Sequence, residues 1–292
     1  MRRFRFKKRK HKNSTERVHI KSLLPNLITS LAVCGGISAI VISAINFAKS
    51  LAGWTVTDSD WKMAIFALMF SCVCDAMDGR VARLLNASSK LGAELDSLAD
   101  FVNFGVAPSI LLYFWVLTPS SEIEGINKFL FAAVLFYSLC TAFRLARFNI
   151  MLEEPTAPYW KPFFLGVPAP GGCWMALTPI PLSWMFAEIC PEVSDFLRHP
   201  YFIAGILIVV GSLMASRIPT ISLKTIHISK KQVLPVTAGL LLFIACLVGN
   251  LWTTFGVIGA LYLLSVPIVV WIFTKIRAKH ISSNPSLKNE SL

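Results

Sequence analysis

About eight stretches of this chain run for roughly 20 apolar residues each, the length a helix needs to cross the hydrocarbon core of a bilayer. They lie near 26–47, 61–83, 91–117, 126–148, 163–187, 200–216, 233–251 and 254–275. Inside lipid each backbone N–H and C=O has to be satisfied within the segment or a closed barrel, and stretches this long and this continuously apolar fit helices. With 55% hydrophobic residues and a mean hydropathy of +0.63, the chain is too apolar for a soluble domain of 292 residues. The expected fold is an all-α polytopic membrane protein. Its fifth stretch holds Pro168, Pro170, Pro179 and Pro181 and is expected to be broken. The first stretch shows no small-residue cleavage site and reads as a retained helix, so no removable signal peptide is expected.

The net charge of +12 is concentrated at the start, where Arg2, Arg3, Arg5, Lys7, Lys8, Arg9, Lys10 and Lys12 stand close together. No aromatic platform or nucleic-acid motif accompanies them, so no nucleic-acid partner is expected. Residues 1–22 read as a cytoplasmic tail that sets topology and touches an anionic lipid surface. Further along, basic loops (Arg80 to Lys90, Arg144 to Lys161, Arg217 to Lys231, Lys275 to Lys279) alternate with acidic ones (Asp58 and Asp60, Glu122 and Glu124, Glu188 to Asp195). The positive-inside rule then puts both termini in the cytoplasm, with an integral-membrane domain over 23–276 and a second cytoplasmic tail over 277–292. Seven scattered cysteines, without CxxC spacing or a neighbouring histidine, suggest neither a disulfide framework nor a zinc set.

Against this apolar background stand Asp75, Asp78, Asp96 and Asp100. An acidic side chain near the centre of a membrane helix costs roughly 2.5–3.5 kcal/mol, so four together require a positive partner. Asp75, Asp78, Gly79 and Ala82 are spaced by threes and fours, which gathers them on one helical face with Arg83 beside it; Gly92, Asp96 and Asp100 form a stripe on the next helix. Oxygen-only ligands suit a hard divalent cation, Mg2+ or Mn2+, and four carboxylates fit a two-ion site. Gly79, Ala82 and Gly92 leave room for a phosphate-bearing group, and Arg83 offers a planar donor fork to it. Ordinary ion pairs with Arg80, Arg83 or Lys90 are the plainer alternative, and Gly35 with Gly36 fits packing between subunits or within one.

Asp75-x-x-Asp78-Gly79-x-x-Ala82-Arg83, eight residues, then Gly92-x-x-x-Asp96-x-x-x-Asp100, resembles the signature of the CDP-alcohol phosphotransferases at all eight fixed positions. The run Ser97 to Pro108, Arg144-Leu145-Ala146-Arg147-Phe148-Asn149, Gly166-Val167-Pro168-Ala169-Pro170 and Pro25-Asn26-x-x-Thr29 are similar to the family's integral-membrane bacterial branch that acts on serine. The likeness spans roughly residues 20 to 230.

The resemblance implies a six-helix catalytic core with extra C-terminal helices in the inner, cytoplasmic membrane, a homodimer, and an active site open to the cytoplasm. It implies transfer of a phosphatidyl group from CDP-diacylglycerol to L-serine, with Asp75, Asp78, Asp96 and Asp100 as metal ligands and Asp100 also as general base. Gly79, Ala82, Arg83, Ser89, Gly92, Asn26 and Thr29 would contact CDP-diacylglycerol. Arg144 or Arg147 would bind the acceptor, since arginine pairs bidentately with a carboxylate. Glycerol 3-phosphate, inositol phosphate or choline would use the same catalytic centre, and an intramembrane prenyltransferase or a cation transporter stands further off.

Overall fold

The computed structural model describes residues 23–87, 89–117, 124–151, 163–216, 219–221 and 233–283. The basic tail 1–22, the end of the second tail, and Arg217, Lys224, Lys230 and Lys231 lie outside the described residues.

Helix α1 (Leu23–Leu51) and helix α2 (Asp58–Leu84) form an antiparallel hairpin. The chain turns after α1 through Gly53, whose φ is +78°. Trp54 N donates to Lys49 O at 2.9 Å and Gly53 N to Ser50 O at 3.1 Å, the paired bonds of a Schellman cap in which glycine accepts the left-handed conformation without cost to a Cβ. Asp60 takes the Thr57 backbone N–H at 2.9 Å and holds Lys49 at 3.1 Å, so the start of α2 is tied to the end of α1. Midway, a Cβ on Gly35 would lie 2.9 Å from Ala67 O and 3.0 Å from Ser71 Cβ. That absence of bulk lets Ser71 Oγ donate across the interface to Ala32 O at 2.7 Å. The small pair therefore packs within the chain: Gly35 faces α2, and Gly36 abuts the Asn103 side chain.

Helix α2 turns directly into α3 (Lys90–Asp100). Asn86 has φ +49°, and Ala87 N donates to Ala82 O at 2.9 Å while Asn86 N donates to Arg83 O at 3.2 Å. Asparagine is among the few residues that tolerate this left-handed closing position. Ser89 then caps α3, its Oγ accepting from Gly92 N at 3.0 Å. The eight residues between Arg83 and Gly92 are thus a stop, a turn and a start, short enough to fold the two aspartate stripes against each other.

After Asp100 the chain makes a π-helical turn, Phe101–Val106, before α4 (Ala107–Val116). Its carbonyls are used by α5 (Glu124–Met151): the buried Tyr137 hydroxyl donates to Phe104 O at 3.0 Å and Ser138 Oγ to Gly105 O at 3.4 Å. Single π turns inside longer helices often mark functional positions, and this one follows the last aspartate directly.

The fifth stretch, expected to be broken by its prolines, is divided. Phe163–Leu165 (β1) pairs antiparallel with Pro219–Ile221 (β2), Phe164 opposite Thr220. The remainder is divided into α6 (Ala169–Leu177) and α7 (Pro179–Ile189), the division falling where Pro179 removes a backbone donor. Gly166, at φ +77°, joins β1 to α6, and a Cβ there would meet Met214 O at 2.7 Å. A short α8 (Pro191–Leu197) bends by 56° into α9 (Pro200–Ala215), and α10 (Val233–Gly249) and α11 (Leu251–Ser283) complete the chain. Helix α11 continues past residue 277, into the segment assigned to the tail. The all-α expectation holds apart from the β1–β2 pair.

Among the described residues, four helical stretches, Leu23–Leu51, Lys90–Val116, Gly125–Ile150 and Leu251–Val269, are long and apolar enough to cross a membrane, five if α8 and α9 form one bent span. The count is below eight because α2 carries charged residues that lower its apolarity, the proline-rich stretch is divided, and α10 is shorter than a full span. The protein is a polytopic helical membrane protein. The buried core runs from α1 and α2 through α4, α5, α6 and α9, with Phe104, Leu111, Tyr137, Met175, Leu207 and Met214 fully enclosed. At the end away from the aspartates, Arg198 reaches Asp58 at 3.4 Å and lies 5.6 Å above the Trp115 ring.

Candidate active site

The α2–α3 turn brings together side chains that sequence spacing had only placed on separate faces. One carboxylate oxygen each from Asp75, Asp78 and Asp96 lie within 4.8 Å of one another. Asp78 is 4% exposed; its Oδ2 accepts from Thr29 Oγ1 at 2.6 Å and its Oδ1 from Gly79 N at 2.5 Å. Asp75 Oδ1 is buried with no hydrogen-bond partner. The described ion pairs, Lys49–Asp60 and Arg198–Asp58, include none of the four aspartates. Arg83 is turned back on its own helix, with Nε donating to Gly79 O at 3.1 Å.

These observations test whether the residues fit a divalent cation. Three converging carboxylates, one oxygen of them buried and unpaired, form an acceptor-only group with a strong need for positive charge. Hard oxygen donors at this mutual spacing suit Mg2+ or Mn2+. The donor set fits.

Beside the trio lies a cleft of about 310 Å3, formed where the ends of three helices meet. Helix α1 lines it with Pro25, Asn26 and Thr29, helix α2 with Asp78, Gly79, Ala82 and Arg83, and the next segment with Ser89, Gly92 and Asp96, together with Ala87 and Ala93. Every position that the resemblance assigned to CDP-diacylglycerol therefore borders one cleft. A Cβ on Gly92 would stand 3.0 Å from Asn26 Oδ1 and 3.1 Å from Ser89 Oγ, whereas one on Gly79 would approach nothing nearer than Arg83 Nη2 at 4.0 Å. Gly92 thus gives α1 its close approach, and Gly79 leaves its space to the cleft.

Asp75 and Asp100 are not among the cleft-lining residues. They stand close enough to interact directly, and the charge of Arg144 on α5 acts on Asp100. Arg144 Nε is buried without a hydrogen-bond partner. Arg147 is differently engaged: Nη1 donates to Ala215 O and Nη2 to Ser216 O, both at 2.8 Å, which fastens α5 to the last carbonyls of α9.

A family model for CDP-alcohol phosphatidyltransferases matches residues 22–276. The chain belongs to this family. Among curated CDP-alcohol phosphatidyltransferases, the Mycobacterium leprae protein named CDP-diacylglycerol–serine O-phosphatidyltransferase is 33% identical over 249 residues, covering 85% of this chain and 74% of its own. The Helicobacter pylori J99 protein of the same name is 31% identical over 257 residues, 87% of this chain and 93% of its own. The Bacillus subtilis protein of that name is 36% identical over 166 residues, 57% of this chain and 74% of its own.

Sequence reasoning did not single out the π turn, the Tyr137 bond that supports it, or the hydrogen bond from Asn149 Nδ2 to Ser97 Oγ at 3.0 Å that ties α5 to the aspartate helix. Asn149 closes the Arg144–Asn149 motif, where the sequence gives it no role. The π turn depends on acceptors used by a different helix, and no local spacing reveals that.

The emptiness beside Gly79 yields a test that separates binding from folding. Gly79→Val adds bulk that meets no packed neighbour, so the variant should melt close to the unmodified protein in detergent. Its KM for CDP-diacylglycerol should rise by at least about tenfold, since even small misplacement of bound groups is costly. An unchanged KM would remove Gly79 from the lipid-nucleotide site.

Proposed function

We propose that this protein transfers the phosphatidyl group of CDP-diacylglycerol to the hydroxyl of L-serine, forming phosphatidylserine and CMP. The single observation that carries the reading is the adjacency of the Asp75–Asp78–Asp96 trio to a cleft bordered by small residues and Arg83. The names of the relatives supply the serine acceptor. The proposed topology has eight spans, with α2, the divided α6–α7 segment and the short α10 counted among them, both termini in the cytoplasm of an inner-membrane protein, and the aspartates in the cytoplasmic half.

In this reading Asp75, Asp78, Asp96 and Asp100 would hold divalent Mg2+ or Mn2+, two ions for four carboxylates, which would supply positive charge against the pyrophosphate and the departing CMP. Asn26, Thr29, Gly79, Ala82, Arg83, Ser89 and Gly92 border the CDP moiety, while the acyl chains remain in lipid. Thr29 orients Asp78 through its 2.6 Å hydrogen bond. Arg144, whose Nε has no partner, receives the carboxylate of L-serine. Arg147 braces α9 and positions α5.

Asp100, between the trio and Arg144, takes the proton of the serine hydroxyl. The serine oxygen forms its bond to the phosphorus that carries diacylglycerol, and the bond from that phosphorus to the bridging oxygen breaks, leaving with CMP. The reaction is a direct displacement with no phosphatidyl-enzyme.

Membranes containing the protein, supplied with CDP-diacylglycerol and labelled L-serine, glycerol 3-phosphate or inositol phosphate in turn, should label lipid only from serine, with one CMP released per lipid formed. Without acceptor, labelled CMP should not exchange into CDP-diacylglycerol. Labelling from a phosphorylated acceptor would replace serine; acceptor-free exchange would replace direct displacement with a covalent route.

A further inference from the structure

Helix α11 lies beyond the aspartate signature, yet it approaches the same site. Its docking follows from two glycines one turn apart. A Cβ on Gly256 would stand 3.1 Å from Leu182 Cδ2, and one on Gly259 would overlap Thr178 Oγ1. The same seam is held by Trp174, which stacks on Phe255 at 4.7 Å between ring centroids and donates Nε1 to Phe255 O at 3.0 Å. Close backbone approach of this kind is the usual use of small residues between membrane helices.

One turn further along α11, the seam delivers Tyr262. Its ring edge and hydroxyl lie against Gly171, where a Cβ would come within 2.9 Å of Cε1 and 3.0 Å of the hydroxyl oxygen. Gly171 is in the first turn of α6, beside Pro168 and Pro170. Tyr262 is only partly buried, and it stands near Arg144, whose buried Nε has no hydrogen-bond partner. Among the described residues the Tyr262 hydroxyl has no hydrogen-bond partner, and a tyrosine facing the interior of a membrane protein ordinarily uses that group.

We propose that Tyr262 is a specificity-determining residue of the acceptor site: its hydroxyl donates to the carboxylate of the acceptor that Arg144 holds, so a helix outside the signature helps select a small amino-acid alcohol. The inference rests on the serine-transfer reading above. Phenol and guanidinium together present neutral and charged donors to one anion, and Gly171 supplies the room for the phenol to reach it. An acceptor lacking a carboxylate would leave both donors unpaired, which is how a polar pocket rejects a near relative of its substrate.

The test compares L-serine with L-serinamide, which keeps the hydroxyl and amine but lacks the carboxylate, in unmodified protein and in Tyr262→Phe. The ratio of kcat/KM for L-serine to that for L-serinamide cancels the fraction of folded enzyme, so the result is readable even if the variant is less stable. The ratio should fall about tenfold in Tyr262→Phe, through a higher KM for serine with kcat and the KM for CDP-diacylglycerol little changed. An unchanged ratio, or an equal loss with both acceptors, would overturn the proposal and leave Tyr262 as packing. Failure of the unmodified protein to use L-serine would instead overturn the serine reading itself.

Discussion

Asp100→Asn is expected to lower kcat for transfer to L-serine by about 1,000-fold, because an amide cannot take the hydroxyl proton and general-base catalysis contributes on the order of 100- to 10,000-fold. The substitution preserves shape and removes one negative charge from a crowded acidic site, so it should not unfold the protein. Binding of CDP-diacylglycerol should persist near its normal affinity, since Asp100 does not line the cleft beside Gly79 and Arg83. Equilibrium binding with a fluorescent CDP-lipid, alongside single-turnover formation of phosphatidylserine, separates the two effects. Full turnover in the variant would take the proton-accepting role away from Asp100; loss of lipid binding without loss of chemistry would assign it to the nucleotide side.

Asp78→Ala should abolish activity by a different route. Asp78 is the most enclosed of the converging carboxylates and is held by Thr29 Oγ1 at 2.6 Å. Its loss removes a ligand from the trio and leaves the threonine hydroxyl with only Pro25 O, at 3.1 Å. Affinity for Mn2+ should fall by more than about 100-fold, and Thr29→Val, which removes only the orienting hydrogen bond, should weaken it by about 10- to 100-fold. This graded pair distinguishes a ligand from its support: equal effects would mean that Thr29 coordinates directly or that Asp78 does not.

The catalytic centre was unusually open to sequence reading, for a physical reason. Buried acids are so costly in a membrane helix that four of them at helical spacing leave few interpretations, and the fixed gap between the stripes specifies the turn now seen at Asn86 and Ser89. The glycines were legible as small positions but not by role: Gly79 opens the cleft while Gly92 admits Asn26, a distinction that needs the neighbouring helix. Arg147 reads from sequence as an acceptor ligand or a flanking charge, and its bonds to Ala215 O and Ser216 O at the end of α9, 68 and 69 residues away, have no local signal. The β1–β2 pair joins three-residue strands too short and too distant to show alternation. Tyr262 was silent because its importance derives from where Gly256 and Gly259 seat α11, and such small-residue spacings occur in many membrane helices that carry no site.

The account depends most on the Asp75, Asp78 and Asp96 carboxylates holding divalent ions. Titration of metal-free purified protein with Mn2+, followed by the loss of the free-ion electron paramagnetic resonance signal, measures this without reference to turnover. The account predicts saturable binding of one or two ions per chain, tightened by CDP-diacylglycerol and reduced more than about 100-fold by Asp78→Ala. Saturable binding that Asp78→Ala leaves intact, or no binding with CDP-diacylglycerol present, would contradict it.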